Sequence, residues 1–215
     1  GKLAETLPIK LEDNPSYLNF GDGEKVEYNE GVFVGYRYYD KKKMKVAFPF
    51  GHGLSYTTFE YSNLKTDKDT MKEGDTIQVS VDVTNTGDCF GKEVVQLYIS
   101  DLTGAARRPE KELKGFEKVA LNPSETRTVT FTLDKRSLAW YSTELHDWYA
   151  ASGEYQILIA ASSRDARLKK TIQWESAQRL PLHIHPNSTL GELLKDERTR
   201  ELGKELKGKL DAFFG

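Results

Sequence analysis

The stretch Thr76-Ile77-Gln78-Val79-Ser80-Val81-Asp82-Val83-Thr84 decides the fold. Ile77, Val79, Val81 and Val83 alternate with polar residues, so one face is apolar and the other wet. That is the pattern of a half-buried antiparallel strand. Moving outward, Val95-Gln96-Leu97-Tyr98-Ile99, Val129-Thr130-Phe131-Thr132-Leu133 and Tyr155-Gln156-Ile157-Leu158-Ile159 repeat it. Turn clusters separate them: Asn85-Thr86-Gly87-Asp88, Asp101-Leu102-Thr103-Gly104, Leu121-Asn122-Pro123-Ser124 and Ala151-Ser152-Gly153-Glu154.

Residues 59–64, 113–119 and 168–174 are also strand-like. Together these make about seven strands, which suits an all-β, immunoglobulin-like or fibronectin III-like antiparallel sandwich. Residues 57–176 hold no long helical window, which argues against a parallel α/β sheet there. Cys89 is the only cysteine, so the disulfide-bridged type of immunoglobulin domain is excluded. A single cysteine also suits a cytoplasmic location, which is the expectation.

The chain has 215 residues, a formal net charge of −2 and a hydrophobic fraction of 38%. One good core and a small second unit fit that length. Near-neutral charge argues against nucleic acid as a partner. No apolar run approaches the ~18–20 residues of a membrane span, so no membrane partner is expected. Gly1-Lys2-Leu3-Ala4-Glu5 lacks the apolar region of a signal peptide.

The first fifty-odd residues are less regular. Leu7-Pro8-Ile9-Lys10-Leu11 reads as a short edge strand, and Asp13-Asn14-Pro15-Ser16 and Phe20-Gly21-Asp22-Gly23 as turns. There is too little contiguous apolar sequence for a core, so this segment must lean on something else. Glu30-Gly31-Val32-Phe33-Val34-Gly35-Tyr36-Arg37-Tyr38-Tyr39-Asp40 is β-branched and aromatic, hence strand-like, and Lys41-Lys42-Lys43 is a solvated turn. Phe48-Pro49-Phe50-Gly51-His52-Gly53-Leu54-Ser55-Tyr56-Thr57 reads as a rigid, aromatic-anchored junction. Its Pro restricts the backbone and its glycines allow close approach of another chain segment. His52 either locks the loop by hydrogen bonding or touches a ligand.

The tail changes period. Residues 180–186 form a Pro-bounded connector, and Thr189-Leu190-Gly191-Glu192 has capping-box form. Leu202, Leu206, Leu210 and Phe213 then make one apolar helical stripe at spacings of four, four and three. Such a stripe must dock on the sandwich or on a partner, so association through this helix is one expectation. Asn187-Ser188-Thr189 matches a glycosylation sequon but reads as a helix-capping region.

No phosphate loop, nucleophile elbow or zinc spacing is present, and no cofactor is expected. His183 and His185 lack a nearby third ligand, so no metal is expected there either. Arg107 and Arg108 either hold a carboxylate from a neighbouring domain or face water. Trp140, Tyr141, His146, Trp148 and Tyr149 offer two readings. Either Trp140 and Trp148 pack across a hairpin closed by residues 142–147, or Trp140, Trp148 and Tyr149 stack on sugar rings.

Several stretches, in order, resemble the C-terminal end of the family 3 glycoside hydrolases, the β-glucosidase and β-xylosidase family. Gly1-Lys2-Leu3-Ala4-Glu5-Thr6-Leu7-Pro8 is similar to the last strand of their α/β sandwich domain. The residue 30–40 segment looks like their connection into the third domain, and residues 48–57 look like the motif that follows. Glu93-Val94-Val95-Gln96-Leu97-Tyr98-Ile99-Ser100-Asp101, Arg108-Pro109-Glu110-Lys111-Glu112-Leu113-Lys114-Gly115-Phe116, Gly153-Glu154-Tyr155 and Ala161-Ser162-Ser163 resemble their fibronectin type III-like domain. The tail from residue 177 is similar to an extension in some bacterial members.

The resemblance implies three parts: 1–56, the end of the α/β sandwich domain and a junction; 57–176, the fibronectin type III-like sandwich; and 177–215, a connector and helix. It implies a retaining glycosidase parent whose nucleophile Asp and acid/base Glu lie upstream, with no catalytic residue in this chain. The implied role is a brace for the catalytic domains of the same polypeptide. Tyr36, Arg37, Tyr38, Phe48, Phe50, His52 and Tyr56 are the expected interdomain contacts. A stand-alone carbohydrate-binding or adhesive module is the alternative.

Overall fold

A computed structural model describes residues 1–21, 23–182 and 184–214; Asp22 of the expected turn and His183 of the histidine pair lie outside the described residues. The chain forms two units, Gly1–Arg179 and Leu180–Gly215.

The first unit opens with β1 (Leu7–Pro8), a 3₁₀ turn at Leu11–Asp13, helix α1 (Tyr36–Lys41) and β2 (Val46–Phe48). The sandwich follows as β3 (Phe59–Thr66), β4 (Thr70–Lys72), β5 (Ile77–Asn85), β6 (Gly91–Asp101), β7 (Glu112–Leu121) and β8 (Thr126–Leu133). Helix α2 (Lys135–Leu138) leads to the hairpin β9 (Trp140–Ser142) and β10 (Asp147–Tyr149), and then come β11 (Gly153–Ser162) and β12 (Asp165–Glu175). One sheet runs β3-β5-β8 and the other β4-β12-β11-β6-β7. All seven strands read from the alternation are present. An eighth, β4, was not expected, because three residues carry no period. It joins β12 in parallel, with Met71 opposite Trp174, and both side chains are buried in the core.

The apolar rows meet as the periodicity requires. Ile77, Val79, Val81 and Val83 are fully buried, and so are Val95, Leu97, Ile157 and Ile159 from the opposing sheet. Burial of each such side chain stabilises by about 1.5–3 kcal/mol. Tyr155 lies in the same core, and its hydroxyl donates to the Ala151 carbonyl at 2.9 Å.

Residues 30–40 differ from the extended segment expected. Gly35 takes a left-handed φ of 54° and breaks the run, and α1 starts at Tyr36. Tyr36, Tyr39 and Asp40 are then buried together, at the i, i+3, i+4 spacing of one helix face. Helical periodicity overrides β-propensity here because a docking face exists for those three side chains. Lys41, Lys42 and Lys43 are exposed, as expected of a solvated turn.

The second unit holds α3 (Leu190–Lys195) and α4 (Arg200–Phe214), two helices where the sequence suggested one. Thr189 caps α3 with the reciprocal box: Thr189 Oγ1 accepts from the Glu192 amide, and Glu192 accepts from the Thr189 amide. Thr199 Oγ1 donates to the Leu193 carbonyl at 2.7 Å and ties the two helices. Leu202, Leu206, Leu210 and Phe213 remain exposed on α4.

Candidate functional site

The functional geometry of the first unit lies where residues 1–56 meet the outer face of the five-stranded sheet. Alternation along β6 directs Gln96 and Tyr98 away from the sandwich core, toward what the sequence alone marks as solvent. Both are buried, at 3% and 0% exposure. The cover is α1 and the 48–53 loop: Tyr36, Tyr98, Leu158 and Ala160 form a second apolar cluster, with Phe50 and Leu113 against it. Tyr36 stacks on Phe50 at 4.9 Å and meets Tyr98 edge-on at 5.9 Å. Its hydroxyl accepts from the Leu113 amide at 2.8 Å.

A polar network fixes this contact. Tyr98 Oη donates to Gln96 Oε1 at 2.6 Å, and Gln96 Nε2 donates to the carbonyls of Gly51 (3.2 Å) and Ala161 (2.9 Å). The Ser163 amide donates to the Phe50 carbonyl at 2.8 Å. Asp40, on the buried face of α1, takes Arg164 Nε on one carboxylate oxygen and Lys111 Nζ on the other, each at 2.8 Å. Lys2 pairs with Glu93 at 2.9 Å. Gly51 packs with φ of 77° directly against the Gln96 carboxamide, so an added Cβ would collide with it. Burial of Tyr98 drives its phenol pKa well above the ordinary tyrosine value.

The expected contact residues therefore divide. Tyr36 and Phe50 are spent on the sheet, and Arg37 and Tyr38 are half-buried beside them. Phe48 and His52 pair ring to ring at 5.3 Å. The His52 loop is held through backbone groups: the His52 carbonyl accepts from the Leu3 amide at 2.8 Å, and the Gly51 amide donates to the Leu3 carbonyl at 2.7 Å. Tyr56 and Leu54 project fully into solvent. Asp40, Gln96, Lys111 and Arg164 went unnoticed in the sequence. The available signal was a long polar residue and a tyrosine on the nominally wet face of β6.

Arg108 corrects another expectation. It neither faces water nor waits for a neighbour: it is 8% exposed and bound by Asp101 at 3.0 Å and Glu112 at 2.9 Å. It also donates to the Leu138 carbonyl at 2.6 Å, tying β6 and β7 to α2. Arg107 lies over the Phe33 ring. Burial pushes the Glu112 carboxyl up, but Lys114 and Arg108 together outweigh it and hold the group below its ordinary value of 4.5. A depressed carboxyl pKa contributes stability above the unfolded-state value, and that contribution is lost as pH falls through the folded-state value. Glu112→Gln is expected to cost about 2 kcal/mol at pH 7, and urea denaturation should show the difference shrinking at pH 3.

Trp140, Tyr141, Trp148 and Tyr149 lie on the β9–β10 hairpin. Trp140 meets Tyr149 at 89° between ring planes, and Tyr141 meets Trp148 at 71°. Arg108 and Arg136 cover the Trp140 and Trp148 rings, and Trp148 packs on the main core. The rings are edge-to-face and so form no shared flat platform. Among the described residues no cluster of three metal-ligating side chains occurs, and no helix is long and apolar enough to cross a membrane.

Comparison with known proteins supplies the context. The fibronectin type III-like domain profile matches residues 93–163. The chain is 54% identical over 99% of its length to thermostable β-glucosidase B of Acetivibrio thermocellus, of which it covers 28%. It is 47% identical over 81% of its length to a β-glucosidase of Kluyveromyces marxianus, covering 21% of that protein. The crystal structure of a Bifidobacterium adolescentis GH3 β-glucosidase superposes with a TM-score of 0.80 at 40% identity, over 96% of this chain and 30% of that one. The chain thus spans between a fifth and a third of the length of these relatives. The sandwich, the docked segment and these matches agree: the chain carries a fibronectin type III-like domain and is homologous to one part of the family 3 β-glucosidases.

Proposed function

We propose that this chain is a non-catalytic accessory module that braces the catalytic domains of a β-glucosidase-like glycoside hydrolase acting on terminal β-glycosidic bonds. The observation that carries this reading is the distribution of exposed apolar side chains. Among the described residues, thirteen large exposed hydrophobics lie within residues 1–56, against four in the longer stretch 57–179. The segment is anchored on one side by the Asp40 and Gln96 networks and unsatisfied on the other. A patch of that kind marks an interface. Leu54 and Tyr56, 88% and 102% exposed, are its most prominent members in the junction. The close match of the whole chain, tail included, to a bacterial relative supports a bacterial origin.

The test is a chimera in which this chain replaces the matching segment of the Acetivibrio thermocellus enzyme. The chimera is expected to hydrolyse an aryl β-glucoside. Leu54→Ser with Tyr56→Ser should then destabilise it by about 2 kcal/mol or more, while leaving the melting temperature of the isolated chain unchanged. An unaffected chimera would refute the brace, as would saturable binding or turnover of cellobiose by the isolated chain.

A further inference from the structure

Beside the docked α1, the outer sheet face carries a second feature. A groove of about 520 Å³ opens there between α1, the 104–111 loop and strands β11 and β12. Its walls include Lys41, Lys111, Arg164 and Lys169, with Glu110 as the one carboxylate that is not already ion-paired.

The charge balance favours an anion. Lys111 and Arg164 share the single carboxylate of Asp40. Arg164 uses only its Nε on Asp40, which leaves both terminal nitrogens of its fork for the groove. Lys41 and Lys169 are exposed, and among the described residues neither is ion-paired to a carboxylate. Lys169 stands opposite Leu158 in the β11–β12 register, so it rises from the outer face beside the groove floor. Arg108, also in the wall, is neutralised by Asp101 and Glu112 and adds nothing.

A separate observation points the same way. Ser163 lines the groove at 2% exposure, and its hydroxyl has no hydrogen-bond partner among the described residues. An orphaned buried hydroxyl costs free energy, and a bound oxygen would relieve it. A guanidinium fork, two exposed ammonium groups and one hydroxyl are the donor set that recognises a planar or tetrahedral oxyanion.

We propose that this groove is an oxyanion site that takes the carboxylate or phosphate group of a small polar molecule. The carrier is either an acidic sugar or free phosphate, and the two share the recognition chemistry. The groove shares Lys111, Ser163 and Arg164 with the docking contact, but Lys41 and Lys169 play no part in the bracing role, so binding can be lost at those two lysines without loss of docking.

The test is an NMR titration of the full isotope-labelled chain at constant ionic strength with glucuronate, inorganic phosphate and, as the neutral control, glucose. Saturable shifts at the Arg164 side-chain Nε–H and the Ser163 and Lys169 amides are expected with at least one of the two anions and not with glucose. Preference for glucuronate identifies an acidic-sugar site, and preference for phosphate a phosphate site. The double variant Lys41→Gln with Lys169→Gln is expected to weaken binding about tenfold, which corresponds to a loss of roughly 1.4 kcal/mol. Both lysines are exposed, so the variant should keep the wild-type near-ultraviolet circular dichroism. Ser163→Ala should weaken binding severalfold in the same assay. Absence of saturation with both anions would overturn the proposal. So would unchanged affinity in the folded double variant.

Discussion

Asp40→Ala is expected to destabilise the docking of residues 1–56 by about 3–5 kcal/mol, the usual consequence of removing one partner from a buried ion network. The carboxylate is 5% exposed and holds two cations at 2.8 Å, one from β12's entry turn and one from the loop just before β7. Without it, Lys111 and Arg164 confront each other across a site where only Arg164 has a third of its surface in water. The sandwich core does not include Asp40, so the effect should be local. Hydrogen exchange should rise through α1 and the 48–53 loop while β5, β6 and β11 stay protected, and limited proteolysis should release the segment before the sandwich is cut. Uniform loss of protection would mean that the docked segment and the sandwich fold as one cooperative unit.

Trp174→Ala is expected to act in the opposite place, with a cost of about 3–5 kcal/mol from the cavity alone. Trp174 is 1% exposed, faces Met71 across the β12–β4 pair, and donates from Nε1 to the Ala150 carbonyl at 3.0 Å. The substitution therefore opens the core and leaves a buried carbonyl without its donor. Urea denaturation followed by circular dichroism should show one earlier transition that includes the sandwich strands. With Trp174 gone, fluorescence reports the hairpin residues Trp140 and Trp148 only, so a second probe is available in the same sample. A midpoint within error of the wild type would show that the β4–β12 edge is dispensable to the core.

The contrast between these variants reflects how much could be read from the chain. The seven main strands were legible because each announces itself locally, by alternation over five to nine residues and a turn cluster at each end. The reading of β5 survives residue by residue: Ile77, Val79, Val81 and Val83 are all in the core. Strand β4 was not legible because its pairing is decided by Met71 finding Trp174, a contact separated by a hundred residues of sequence. The Glu30–Asp40 stretch misled because propensity favoured a strand, and only the covered face of the sheet rewards the helix that puts Tyr36, Tyr39 and Asp40 on one side.

The junction shows the same division. That residues 1–56 lack a core of their own and must lean on something was visible in their composition. What they lean on was not. Gln96 and Tyr98 looked solvent-facing, because alternation says which side of a strand a residue takes and nothing about what covers that side. Arg108 looked like a surface residue for the same reason: its partners Asp101 and Glu112 flank it in sequence, but only the β6–β7 pairing brings both carboxylates and the α2 carbonyls around one guanidinium.

By itself, then, the sequence determined the all-β sandwich, its strand boundaries to within a few residues, the capped helical tail and the kinship with family 3 glycoside hydrolases. These rest on periodicities and motifs that act over short distances along the chain. Only the tertiary structure decided that the junction docks on the outer face of the five-stranded sheet, that Asp40 joins Lys111 to Arg164, and that a cationic groove is left beside them. Each of those depends on side chains brought together from distant positions, and burial and charge pairing are properties of that assembled neighbourhood.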